Sequence, residues 1–230
     1  MTRPILLLLL AAGFVLMGMS PGPGPTPDPA VQNQANIGFQ WAFGAVIGKS
    51  HKFVSITRDT TLNSGEELKM FVQLTKECFV YVVHYGSKGE IDLLFPYSFR
   101  QFQSDYETGK NYFIPKGRDW IRLDKNTGRE TFFLVASTER QLDLEAKLGD
   151  YLSADASKKE TLAKAIVSTI RDLRRRYTTF ATIAEKPLTI GGNIRGTEKV
   201  EVSQRPDVTT IATEVTARNF YSKTITIDHQ

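Results

Sequence analysis

Between Glu66 and Ser137 apolar residues recur with a period of two. In ELKMFVQL, residues 67 to 74, Leu68, Met70, Val72 and Leu74 share one face and leave Lys69 and Gln73 on the other with Phe71. This predicts a half-buried strand. CFVYVVHY (78–85) is apolar or aromatic on both faces, as in a central strand covered on both sides. Gly86 to Gly89 supply a turn, after which Ile91, Leu93 and Phe95 resume the alternation up to Pro96. NYFIP (111–115), WIRL (120–123) and TFFLVAS (131–137) predict three more strands, the last two separated by the turn DKNTG. GFQWAFGAVIG (38–48) reads as the first strand, and VTTIATEVTA (208–217) and NFYSKTITIDH (219–229), beyond Pro187, return to β-branched text. Dense short strands with turn signals between them predict an antiparallel sandwich.

After Ser137 the period changes to that of a helix. Thr138 with Gln141, and Ser157 with Glu160, match capping boxes. The first helix is predicted from Glu139 to Leu152, with Leu144, Leu148, Tyr151 and Leu152 on one stripe. In the second, Leu162, Ile166, Ile170, Leu173, Tyr177 and Phe180 stay within about a quarter of the circumference. Together they predict a helical hairpin at residues 139–181, docked on the sheet. The fold class is mainly β with α: an antiparallel β-sandwich with an appended helical hairpin.

Composition limits what lies around this domain. With 41% hydrophobic and 23% charged residues, the bulk of the 230-residue chain is not disordered. Residues 1–20 differ: Arg3 precedes an uncharged run from Pro4 to Ser20. Its apolar part, Ile5 to Met19, falls short of the ~20 residues of a spanning helix. The expectation is a cleaved signal peptide, export to the periplasm or the extracellular space, and no stable transmembrane span. PGPGPTPDP opens a Pro-rich spacer over 21–33, leaving 34–230 as the folded domain. Cys78 is the single cysteine, so the domain has no internal disulfide and the chain has no amino-terminal cysteine to lipidate. A net charge of +4 suits anionic surfaces weakly and does not mark a nucleic-acid binder.

Candidate chemistry is sparse. Cys78 and His84 on one strand stand about 20 Å apart, too far for a thiol and its base. His51, His84 and His229 lack metal-ligand spacing, and GGNIRG (191–196) reads as a turn because it lacks both phosphate-loop and dinucleotide patterns. No catalytic, cofactor or metal residue is predicted. Trp41, Trp120, Tyr97 and Tyr112 are of the type that builds carbohydrate or peptide platforms, but core packing is the reading adopted. On the second helix Lys164, Arg171 and Arg175 lie opposite the apolar stripe with Arg174 and Arg176 beside them. Lys164, Arg171, Arg174 and Arg175 are the candidate partner-binding residues, for a protein or an anionic envelope component.

The segment from Gly65 to Ser137 resembles the domain of unknown function DUF4384. Gly65 in the opening turn, Tyr81 to Val83, Gly89 to Pro96, Gly109 to Pro115 and Gly128 to Ser137 carry the likeness, over roughly a third of the chain. The resemblance implies an immunoglobulin-like sandwich, of a kind found in exported proteins or beside catalytic domains, with no catalytic residues to carry over. Tyr97 after LFP and the long helical hairpin depart from the pattern. The resulting expectation is an exported, non-catalytic binding or assembly module of the cell envelope. Its alternatives are an envelope hydrolase assembled from distant residues such as His51, His84 and His229, and a structural component of a larger envelope complex.

Overall fold

The structure, a computed structural model, describes residues 36–178, 183–188 and 205–230. The expected signal peptide and spacer, Phe180 and the expected GGNIRG turn lie outside the described residues. The long aromatic strand β1 (Ile37–Ile47) pairs antiparallel with β2 (Lys52–Ser55), β4 (Glu67–Leu74) and β11 (Thr213–Ala217). Strands β7 (Asn111–Ile114) and β8 (Ile121–Arg122) join β4, and β10 (Ile183–Pro187) joins β11, completing a seven-stranded sheet. The second sheet has the order β3-β12-β9-β5-β6, from β3 (Thr60–Leu62), β5 (Phe79–Tyr85), β6 (Ile91–Phe95), β9 (Gly128–Ser137) and β12 (Phe220–His229). All its pairs are antiparallel except β3 with β12, which run parallel.

Alternation along the strands puts one face of each sheet into a shared core. Phe39, Trp41 and Phe43 of β1 and Leu68, Met70 and Val72 of β4 meet Val80 and Val82 of β5, Phe132 of β9 and Ile225 of β12. The Phe43 and Phe132 rings meet edge to face, with centroids 4.9 Å apart. The other face of the second sheet is also apolar. Tyr81, Val83, Phe133 and Val135 pack under α2 (Leu142–Ser153) and α3 (Ala156–Thr178), through Leu144, Leu148, Ile166 and Ile170. This is why β5 carries apolar side chains in both directions. A short α1 (Gln101–Ser104) adds Phe102 beside Phe79 and Tyr81.

Local detail departs from the sequence pattern where tertiary partners take over. The capping box at Thr138 and Gln141 does not form: the Gln141 N–H donates to the Tyr81 hydroxyl at 3.0 Å, and α2 begins at Leu142 instead of Glu139. The next helix begins at Ala156, so Ser157 lies inside it and not at its cap. Leu152, expected on the apolar stripe, is 64% exposed, because helical spacing sets it about 80° round from Leu144, at the margin of the buried face. VTTI (208–211) is a 3-10 turn, with the Asp207 side chain accepting from the Thr209 N–H, and strand begins only at Thr213. A register slip between Val82 and Val83 moves Phe95 into the inter-sheet core while Ile91 stays under the helices.

Candidate functional site

Among the described residues, the basic helix face and a cleft lined by charged side chains at one end of the sandwich stand out chemically. Helix α3 owes its place to Ala163, Ile166, Ile170 and Leu173, all buried against the second sheet. That stripe turns Lys164, Arg171 and Arg175 outward on one line, with Arg174 about 80° to one side at helical spacing, and all four are exposed. Lys164 pairs with Glu160 one turn earlier at 2.6 Å, and Arg175 with Asp172. Both pairs are solvent-exposed and add little to stability. The helix carries seven basic and two acidic side chains, net +5, against +4 for the whole chain, so the remainder is net negative. Arg176, in the same run, lines a groove of ≈ 540 Å³ between α2 and α3 with Lys147 and Ser168.

The cleft, ≈ 270 Å³, opens where β5, β6, β9 and β12 face Leu68 and the segment from Ile121 to Asn126. His84 and Asp92 are directly opposed in the β5–β6 ladder, and Glu130 lies diagonally across on β9. The imidazole is held from both sides, Nδ1 3.2 Å from Asp92 and Nε2 2.7 Å from Glu130, and its ring centre lies 4.8 Å from that of Phe132, tilted by 31°. Burial opposes charge on the ring. The Asp92 and Glu130 carboxylates outweigh it and raise the His84 pKa above its usual value. While doubly protonated, with both ring nitrogens donating to carboxylates, His84 has no lone pair free for a metal or a substrate proton. Among the described residues no three His, Cys, Asp or Glu side chains gather to hold a metal.

The three histidines do not converge. His229 lines the same cleft as His84, but its Nε2 is 3.0 Å from the Ser64 hydroxyl. The backbone beside it, Ser64 N–H to Gln230 C=O and Gln230 N–H to Leu62 C=O, ties the last strand to β3. His51 is exposed in the β1–β2 turn at φ 51° and is not part of the cleft. Trp41 and Tyr112 are buried, and Trp120 and Tyr97 half-buried, which bears out core packing for the first two. Cys78 is buried immediately before β5, its thiol 3.7 Å from the Gly38 carbonyl and pushed up to about 11 by burial. Cys78→Ala should therefore cost about 1 kcal/mol of stability through lost packing and leave binding unchanged. Thermal melts and a binding assay on the same preparation check this.

Residues 61–140 match the family model described as Domain of unknown function (DUF4384). No curated protein and no solved structure matches the chain. The DUF4384 match covers β3 to β9 and thus contains His84, Asp92 and Glu130. It excludes β1, β11 and β12, whose pairings complete both sheets, and the whole of α2 and α3. The basic helix face is therefore an addition to the matched segment. Asp92 and Glu130 escaped the sequence reading, although the Gly86–Gly89 turn fixes a register in which His84 opposes Asp92. Glu130 depends on the β5–β9 register, set by strands some fifty residues apart, which no local signal encodes.

Proposed function

We propose that this protein is an exported, non-catalytic binding module of the cell envelope that docks through the outer face of α3 on an anionic surface. One observation carries the reading: a chain of net +4 concentrates net +5 on a single helix whose basic side chains point to solvent. The inner face of that helix is buried against α2 and the second sheet. Lys164 and Arg175 stand eleven residues apart on one line, about 16 Å along the axis. A straight, convex row of flexible cations suits a planar array of acidic headgroups better than a single acidic pocket. Arginine adds bidentate contacts with phosphate. Export, predicted from the amino-terminal run, would bring the chain to such surfaces.

The experiment is co-sedimentation with vesicles of neutral lipid, and of the same lipid with an acidic component. The wild type is compared with a Lys164→Gln, Arg171→Gln, Arg175→Gln variant. Each cation near an acidic bilayer strengthens binding several-fold, so the triple variant should bind roughly a hundredfold more weakly. Its melting temperature should stay close to wild type, because the replaced side chains make only exposed pairs. Wild-type protein that ignores acidic vesicles while retaining an acidic protein partner would move the reading from lipid to protein.

A further inference from the structure

We infer that His84 is a pH-sensitive latch on the middle of the edge strand β6, closed while its ring is doubly protonated and slack once the ring is neutral. The geometry is a three-strand bridge: the backbone is on β5, Nδ1 reaches Asp92 on β6, and Nε2 reaches Glu130 on β9. A charged ring donates to both carboxylates at once, whereas a neutral ring has one N–H and can donate to only one. The strand needs such a tie because, among the described residues, β5 is its one strand partner and their register slips between Val82 and Val83. Its ends are otherwise held, by the Ile91 N–H donating to the Tyr151 hydroxyl at 3.0 Å and by Phe95 buried in the core. Between those ends Leu93 and Leu94 are partly buried against the two cores, and the exposed Asp92 is the point at which the imidazole grips the strand.

The charged groups around the ring make loss of its proton consequential. Asp92 faces it from β6, Glu130 from β9, Lys88 and Glu90 from the β5–β6 turn, His229 from β12, and Arg122 and Asp124 from the segment opposite. Among these, four carboxylates face two permanent cations. Lys88 is turned to the Asn126 side-chain oxygen at 2.8 Å. Neutralising His84 therefore leaves Glu130, itself buried, without its counter-charge. The direction follows from the raised pKa. Stability from the latch is complete below the pKa of an unfolded histidine and is lost as pH rises through the higher folded value.

Amide hydrogen exchange at Asp92, Leu93 and Leu94, read by NMR between pH 5.5 and 9 and corrected for intrinsic exchange rates, tests the latch. The β9 amides Phe133 to Val135 serve as the internal reference. Wild-type β6 should lose protection several-fold relative to β9 across this range, while His84→Gln, which carries no titrating group there, should show a β6-to-β9 ratio independent of pH. The ring proton shifts of His84 in the wild type give a reading that does not depend on the variant folding, and should titrate above the usual histidine range. A β6-to-β9 ratio constant with pH in the wild type, or a His84 ring titrating at or below the usual range, overturns the proposal. This inference stands whether or not α3 binds lipid.

Discussion

Lys69→Met should destabilise the protein by about 3 kcal/mol, since three carbonyls of one loop would lose a charged donor at once. Lys69 lies on the outward face of β4 in the sequence pattern, where a lysine is ordinarily solvated. Instead it is buried, with its ammonium donating to the carbonyls of Pro115, Gly117 and Asp119 at 2.8, 2.8 and 2.5 Å. Burial lowers its pKa, partly offset by the Asp119 charge. Methionine keeps an unbranched stem of similar length but removes all three hydrogen bonds and the cation over the Phe113 ring. The loop it cages leads into β8, whose Ile121 and Arg122 line the cleft. Loss of the cage should therefore disorder that wall first. Urea denaturation gives the stability, and hydrogen exchange in residues 115–122 gives the location. A variant within 0.5 kcal/mol of wild type, a span that covers ordinary surface substitutions, would show that the cage contributes nothing.

Glu145→Ala should cost about 2–3 kcal/mol, discounted from the value for a fully buried ion pair because Arg140 is partly exposed. Glu145 sits on the sheet-facing side of α2, accepting from the Tyr81 hydroxyl at 2.6 Å and from Arg140 Nε at 3.1 Å. Burial and the bond to Glu145 push the Tyr81 phenol far above its ordinary range. Tyr81 in turn accepts from Gln141 N–H, so one carboxylate fixes the start of the helical hairpin to β5. Removing it strands a buried hydroxyl and an arginine stacked on Phe102. Glu145→Gln, which still accepts from Tyr81, should lose about half as much. Thermal melts of the two variants check the order. If the Ala and Gln forms are equally stable, the network does not anchor the hairpin.

These two residues also mark where the sequence stops being readable. Alternation in β4 correctly separated Leu68, Met70, Val72 and Leu74 from Lys69, because the period of two is a local property of the strand. It carried no sign that a loop nearly fifty residues later folds over Lys69 and buries it. The same holds for Glu145, which occupies a core-facing position of α2 only because Tyr81 and Arg140 satisfy it. The helical stripe was legible through Leu173, but Leu152 was misplaced because it sits at the margin of the stripe, where periodicity does not decide between core and solvent. The basic face of α3 was legible in full, since an exposed face needs no partner to define it. The cleft was legible only through the β5–β6 turn, and Glu130 not at all.

The salt dependence of vesicle binding tests the central claim, that α3 docks electrostatically on an anionic surface. Exposed charges are screened over about 8 Å at physiological ionic strength, and more strongly as salt rises. Wild-type affinity for acidic vesicles should fall steeply between low and physiological salt. The Lys164, Arg171 and Arg175 glutamine variant should start weaker and fall less, converging on the wild type at high salt. Equal affinities for the two proteins at low salt, or wild-type binding that does not change with salt, would contradict docking through this face.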